Sequence, residues 1–242
     1  MDFLVKKIID TGIADVNSLT QDSGTIYTFL NPVSYLDARK NRGLYANFDG
    51  IFADGSLLTS FIRIIHKKKV KRYSFDMTSV APILFTYAIE ANKSIYLVGS
   101  KQEEIEKAQQ ILTIHYPKLN IIGIRNGYFS SDEEINEEIE NILKIKPDFV
   151  IVGMGAIRQE QFLLNMKNKG FSGIGFTCGG FLHQTSNNII NFYPRWIDNM
   201  NIRFLYRMYK EKHTRIRYLK AAFYFPVFFL VDCFLQGSNS KT

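Results

Sequence analysis

The chain has 242 residues, 46% of them hydrophobic and 22% charged, with 30 Lys and Arg against 23 Asp and Glu and a formal charge of +7. This composition excludes disordered, collagen-like and coiled-coil chains and suits one large α/β domain with an appendage. Two cysteines, Cys178 and Cys233, are too few for a disulfide framework and fit a reducing compartment. The N-terminal decapeptide carries an early acid and no long apolar core, so no signal peptide is expected. Nor is a simple membrane span, since no run of about 18 apolar residues occurs.

In chain order, β-type runs alternate with helical ones from residue 24 to 177. Thr25–Leu30 reads as a strand, 33–41 as a helix, 51–53 as a short strand and 57–66 as the helix behind it. A helix over 80–92 precedes the buried strand Ser94–Gly99, and an amphipathic helix over 101–116 precedes a strand over 120–124. The acidic stretch 131–145 is a helix with Ser131 as N-cap and Glu133 and Glu134 at its positive end. Asp148, Phe149, Val150, Ile151 and Val152 form the clearest buried strand, which leads through Gly153 and Gly155 into a helix over 157–169, and 173–177 is a last strand. Strands lacking polar alternation and separated by helices imply a parallel sheet covered on both faces. The expected architecture is a Rossmann-like, mostly parallel α/β sheet flanked by helices over 1–200. A helical, basic C-terminal extension over 201–242 follows it.

The charge is concentrated. Residues 63–72 hold six bases and no acid, and residues 203–220 hold seven bases against Glu211 alone. The rest of the chain is mildly acidic. For 63–72 the favoured reading is an ordinary solvated run of lysines. For 203–220 the sequel decides otherwise, because 221–235 is apolar and aromatic, interrupted by Pro226 and Asp232 and too short to cross a bilayer comfortably. A basic segment followed by an aromatic one is the pattern of a segment lying in the lipid interface. The alternative is a C-terminal helix packed on the core or on a second subunit.

In parallel sheets, ligands bind beyond the C-terminal strand ends. Asp54 in Ala53-Asp54-Gly55, Gly99, the Gly153-Met154-Gly155 turn and Cys178-Gly179-Gly180 are therefore the sites to watch. Glycine lets backbone N–H groups approach a phosphate, although tight turns account for these glycines nearly as well. No G-x-G-x-x-G or Walker lysine loop occurs. Asp54 is placed either as a general base or as the cap of the helix starting near Ser56, and spacing favours neither. Asp49 reads as a turn residue, Cys178 as a packed thiol, and His183 as structural rather than substrate-contacting. His66, His115, His183 and His213 never fall at metal-ligand spacing.

The ordered blocks Tyr96-Leu-Val-Gly-Ser100, Tyr116-Pro117, Asn126-Gly-Tyr-Phe129, Lys146-Pro-Asp148, Gly153-x-Gly155, Gln159-Glu160, Leu205-Tyr-Arg207 and Arg215-Ile-Arg-Tyr218 resemble the bacterial WecG/TagA/CpsF glycosyltransferases over roughly residues 25–220. The resemblance implies inverting transfer from a UDP-sugar to a polyprenyl-diphosphate-linked sugar, without cofactor or metal, in exopolysaccharide, capsule or teichoic acid synthesis. The donor would be of N-acetylmannosamine type or another hexose. Asp54 matches the family's proposed general base, and Asn31 matches the Asn of an early Thr-x-Asn motif whose Thr position is Phe29, with Thr28 one place off. Gln159 and Glu160 match a Pro-x-Gln-Glu segment in which Ile157 replaces proline. Gln184 stands where the family has an acid, and Phe192 replaces an arginine while Pro194 and Trp196 persist. The remaining substrate-binding candidates are Gly99, Gly153, Gly155, Gly179 and Gly180. Arg207, Arg215 and Arg217 match basic positions thought to face the lipid diphosphate.

Expected partners are thus the UDP-sugar, the lipid-linked acceptor and an anionic membrane surface, with the chain peripheral on the cytoplasmic membrane face. A homo-oligomer stays open. Nucleic acid is not expected, since no reader motif occurs. The alternative function is a non-catalytic nucleotide-sugar-binding module of the same fold.

Overall fold

The structure is a computed structural model that describes residues 3–10, 23–187, 197, 203–210 and 212–238. Six strands, β1 (Thr25–Leu30), β2 (Gly50–Ala53), β3 (Ser94–Gly99), β4 (Asn120–Arg125), β5 (Phe149–Gly153) and β6 (Ile174–Thr177), form one sheet in the order β2-β1-β6-β5-β3-β4. Every pairing is parallel. β5, Phe-Val-Ile-Val-Gly, is buried at all five positions, as a strand covered on both faces must be. β4, at the edge, is only half-buried.

Eleven α-helices surround the sheet among the described residues, with a short 3-10 turn at Lys212–Thr214. They are α1 (Phe3–Lys6), α2 (Pro32–Ala38), α3 (Arg42–Ala46), α4 (Ser56–His66), α5 (Val80–Glu90), α6 (Gln102–His115), α7 (Asp132–Ile145), α8 (Arg158–Asn168), α9 (Phe181–Ser186), α10 (Arg203–Lys210) and α11 (Arg215–Ser238). The helix expected over 33–41 ends at Ala38, and a second one, not expected from the sequence, starts at Arg42. Asn41 Nδ2 donates to the Asp37 carbonyl at 2.9 Å, which takes a carbonyl that a continuing helix would use and closes the first piece. Ser131 does cap α7, accepting from Glu134 N–H. The N-terminal segment covers the other sheet edge, where Ile9 N–H donates to Ile51 O at 2.9 Å and Ile51 N–H to Lys7 O at 3.1 Å. That pairing hides an edge that would otherwise be open to strand addition.

α11 runs unbroken through Pro226, although its sequence reads as an interrupted stretch. Packing on both sides of the proline holds it. Phe225 and Phe229 are fully buried against Tyr35 of α2 and Phe61 of α4, with ring centroids 5.2 to 5.7 Å apart. Asp232 is buried too, gripped by Arg39 Nε at 2.9 Å, Arg42 Nη2 at 2.9 Å and the Tyr35 hydroxyl at 2.9 Å. These arginines hold the Asp232 carboxyl below its ordinary range against the opposing effect of burial. The opposite face of α11 exposes Ile216, Leu219, Phe223, Val227, Leu230 and Phe234. Core packing and an exposed apolar face therefore coexist on one helix. Among the described residues, no helix is long and apolar enough to cross a membrane. The expected domain boundary near residue 200 lies outside the described residues, as do Phe192, Pro194 and Trp196.

Candidate active site

All six strands point the same way, so their C-terminal ends share one edge. Along it stand Asp54 after β2, Asn31 after β1, the Gly179-Gly180 turn after β6, Gly153 at the end of β5 and Gly99 at the end of β3. With strands about 4.8 Å apart, the span from β2 to β5 is about 14 Å. The chain leaves β3 toward β4 on one side and β5 toward β6 on the other, which opens a crevice between the two strands. There Gly99 (φ +143°) and Gly153 touch so closely that a Cβ on Gly99 would lie 2.3 Å from the Gly153 carbonyl oxygen. Only glycine fits that crossing.

At the other end, Asp54 N–H donates to Leu30 O at 2.8 Å, which locks Asp54 beside Asn31. Asp54 is half-buried. Gly55 (φ +92°), not Asp54, occupies the N-cap position of α4. Asn31 caps α2, accepting from Val33 N–H and Ser34 N–H at 2.9 Å. Its Nδ2 is not engaged among the described residues.

Between these ends lies the β6–α9 turn. A Cβ on Gly180 would sit 2.8 Å from Arg207 Nη2 and 3.6 Å from Gln184 Nε2. The guanidinium of Arg207, carried on α10, thus rests on the Gly179-Gly180 turn with Gln184 beside it. Gln159 Oε1 accepts from Gly179 N–H at 3.2 Å, and Gln159 Nε2 donates to Glu160 Oε1 at 3.0 Å. Gln159 is 5% exposed and acts from below the turn, with both ends of its amide occupied.

Glu160, which the motif pairs with Gln159 without giving it a role, lies at the centre of this region. It is 1% exposed, and Oε1 also accepts from the Thr28 hydroxyl at 2.8 Å while Oε2 accepts from Ile157 N–H at 2.6 Å. Thr28 in turn shares a 2.9 Å hydrogen bond with Thr177. Burial pushes the Glu160 carboxyl above its ordinary range, opposed by these donors. Strand alternation decides why Thr28 rather than residue 29 takes part, because adjacent residues face opposite sides of the sheet. Ile157 adopts φ +74°, which proline cannot reach, and it donates an N–H that proline lacks. The departure from the Pro-x-Gln-Glu pattern thus supplies Glu160 with a hydrogen bond.

Other candidates are placed elsewhere. Gly155 (φ +83°) would leave open space around a Cβ, and its carbonyl accepts from Gln159 N–H at 3.2 Å. Arg215 and Arg217 are exposed on α11, where Arg215 Nε donates to Met208 O at 2.9 Å. His183 Nδ1 pairs with Glu104 Oε1 at 2.9 Å. Cys178 is buried and its thiol is pushed up well beyond the usual range, so it is a packed side chain and no nucleophile. Asp49 accepts from Ile26 N–H at 2.8 Å and from Lys167 Nζ, fastening a turn. Among the described residues, no three His, Cys, Asp or Glu side chains gather as metal ligands.

Residues 8–239 match the model of the glycosyl transferase WecG/TagA/CpsF family. The chain is 36% identical over 206 residues, 84% of its length and 86% of the relative's, to the UDP-Gal:alpha-D-GlcNAc-diphosphoundecaprenol beta-1,4-galactosyltransferase of Shigella boydii. It is 25% identical over 214 residues, 86% of this chain and 76% of the relative, to the N-acetylglucosaminyldiphosphoundecaprenol N-acetyl-beta-D-mannosaminyltransferase of Bacillus subtilis. A Staphylococcus aureus protein of the latter name is 28% identical over 116 residues, 48% of this chain and 44% of that one. The chain belongs to the WecG/TagA/CpsF family and is a glycosyltransferase.

Proposed function

We propose that the protein transfers a hexose, galactose foremost, from its UDP donor to N-acetylglucosamine carried on polyprenyl diphosphate, with inversion at the anomeric carbon. The Shigella boydii relative, whose name specifies that donor and acceptor, supports the choice of sugars. The observation that carries the reading is Arg207 lying on the Gly179-Gly180 turn, midway along an edge with Asp54 at one end and the Gly99/Gly153 crevice at the other. In this reading the nucleotide takes the crevice, as ligands of such sheets do. The diphosphate meets the β6–α9 turn and Arg207, whose planar donors suit its oxygens. The sugar reaches toward Asn31 and Asp54.

Asp54 takes the proton of the acceptor hydroxyl as that oxygen attacks the anomeric carbon. The C–O bond to UDP breaks on the opposite face, and the charge that develops on the leaving diphosphate is met by Arg207. Inverting transfer requires one such base, so a pair of acids is not needed.

The same reading places the chain peripherally on the cytoplasmic membrane face, with the exposed apolar side of α11 in the interface. Since α11 also buries Phe225, Phe229 and Asp232, its deletion would strip the core, and substitution of exposed residues is the cleaner probe. Asp54→Asn should lower turnover by about 10²- to 10⁴-fold while UDP binding and thermal unfolding stay unchanged. Mass spectrometry of the lipid product formed from UDP-galactose and competing UDP-sugars measures both turnover and donor. Near-normal transfer by Asp54→Asn would remove that residue from the mechanism. A product lacking hexose would refute the donor assignment.

A further inference from the structure

The lysine run after α4 reads from sequence as ordinary solvated charge, but the structure fixes it in shape and in place. Lys67 adopts a left-handed conformation (φ +52°) that turns the chain at the end of α4. Arg63 Nε and Nη2 both donate to Val70 O, at 2.9 and 2.6 Å, and Lys68 Nζ donates to Ile8 O at 2.6 Å. Val70 is buried and Lys68 half-buried, so Lys67, Lys69 and Lys71 are the residues left exposed. Asp10, the acid lining the same hollow, lies 3.8 Å from Lys68 Nζ.

The position is specific as well. His66 immediately precedes Lys67, and its ring lies 5.8 Å from Phe229 with Nε2 3.1 Å from Cys233 Sγ. Cys233 immediately precedes Phe234, which is 75% exposed. The lysine run therefore starts beside the C-terminal half of α11, where His66 packs on Phe229 and Cys233, while exposed Arg215, Arg217 and Lys220 stand at the N-terminal end of that helix.

We infer that Lys67, Lys69 and Lys71 form a second contact with anionic lipid head groups. The inference rests on the interfacial reading of α11 given above. The protein then meets the bilayer through cations, an apolar stripe and cations again. Hydrated lysines stay at head-group depth while Phe223 and Phe234 enter the acyl boundary. One basic end would let the molecule pivot about α11, whereas two ends fix its tilt. Charge complementarity selects an anionic lipid surface as the occupant, since each exposed lysine beside such a surface adds attraction.

The test uses the full chain with phosphatidylcholine vesicles prepared with and without phosphatidylglycerol. The triple variant Lys67→Gln, Lys69→Gln, Lys71→Gln should lose on the order of 100-fold in affinity for the anionic vesicles. Its binding to neutral vesicles, its thermal unfolding and its turnover of detergent-dispersed acceptor should match the unsubstituted protein. Unchanged binding to anionic vesicles overturns the inference, as does a loss of turnover on dispersed acceptor. A companion variant, Phe223→Ser with Phe234→Ser, separates the two claims. If it alone loses binding, α11 docks without the lysines; if neither variant loses binding, the interfacial reading falls as well.

Discussion

Glu160 and Asp232 are both nearly inaccessible carboxylates, at 1% and 3% exposure, and they are held in opposite ways. Asp232 faces two guanidinium groups and a phenol, and lies where α11 meets α2 and α3. Among the described residues, Glu160 accepts from the Thr28 hydroxyl, the Gln159 amide and the Ile157 N–H, with the buried Tyr45 phenol also facing it and no cation in the set, and it lies beneath the strand ends. A fully paired buried charge fastens two pieces of structure together. A buried charge held by neutral donors alone is costly to keep, and such groups concentrate where a site must be pre-organised. The contrast separates the clamp of this molecule from the floor of the proposed site.

Removing the clamp should have the largest effect on stability. Asp232→Ala leaves Arg39 and Arg42 without their shared partner and should cost about 3 kcal/mol in urea unfolding. That is the low end for a buried pair, because both guanidinium groups reach solvent. An unchanged midpoint would show that the aromatic contacts of Phe225 and Phe229 suffice. Glu160→Gln should do the reverse. Its amide keeps the Thr28 and Gln159 bonds but sets a donor against Ile157 N–H, so stability should change by only about 1 kcal/mol. Turnover should fall on the order of tenfold, because Gln159 and the Gly179 turn shift relative to the substrate. Equal losses of stability and turnover in the two variants would erase the distinction.

Acidity divides them more finely. The Asp232 carboxyl is lowered in the folded state, so its stabilisation is complete above the ordinary value of about 3.9 and is lost as pH falls through the lower folded value. The Glu160 carboxyl is raised, so the folded state holds its proton more tightly than the unfolded chain. Stability should therefore decline as pH rises from about 4.3 through the raised value, and Glu160→Gln should flatten that decline. Calorimetric melting across pH for each variant reads both signs.

The smallest expected effect belongs to Gly180→Ala. The backbone there is unstrained, at φ −90°, and the new Cβ would press closely on the flexible end of Arg207, with Gln184 Nε2 at ordinary contact distance. Stability should change by less than about 0.5 kcal/mol. A measurable rise in KM for the UDP-sugar would report the displaced guanidinium, whereas unaltered kinetics would remove Arg207 from the diphosphate site.

Local signals in the chain explain what could be foreseen. Phe-Val-Ile-Val is legible as a buried parallel strand because nothing in it is polar, and Ser131 is legible as a cap because three acids follow it. Asp54 and the glycine turns are visible because they end such strands. The order of the strands is not local, so neither the Gly99–Gly153 crossing nor Arg207 on Gly180 could be deduced from spacing. Glu160 belongs to a recognised motif, but its role is not legible there, since Thr28, which bonds it, and Thr177, which bonds Thr28, are far away in sequence and come together only when β1 and β6 pair with α8 beneath them. Asp232 read as an interruption of an apolar run for the same reason. Arg39 and Arg42 lie nearly 200 positions away.

One short element connects these regions. α2 is capped by Asn31, on the edge formed by the C-terminal strand ends, and ends at Ala38, next to the arginine that grips α11. Seven helical residues measure about 10 Å. A strut of that length behaves as a spacer rather than a tether, so the height of the reacting hydroxyl above the lipid plane would be built into the architecture. An acceptor whose first sugar projects farther from its carrier would overshoot Asp54, and reach, as much as recognition, would then select what is glycosylated.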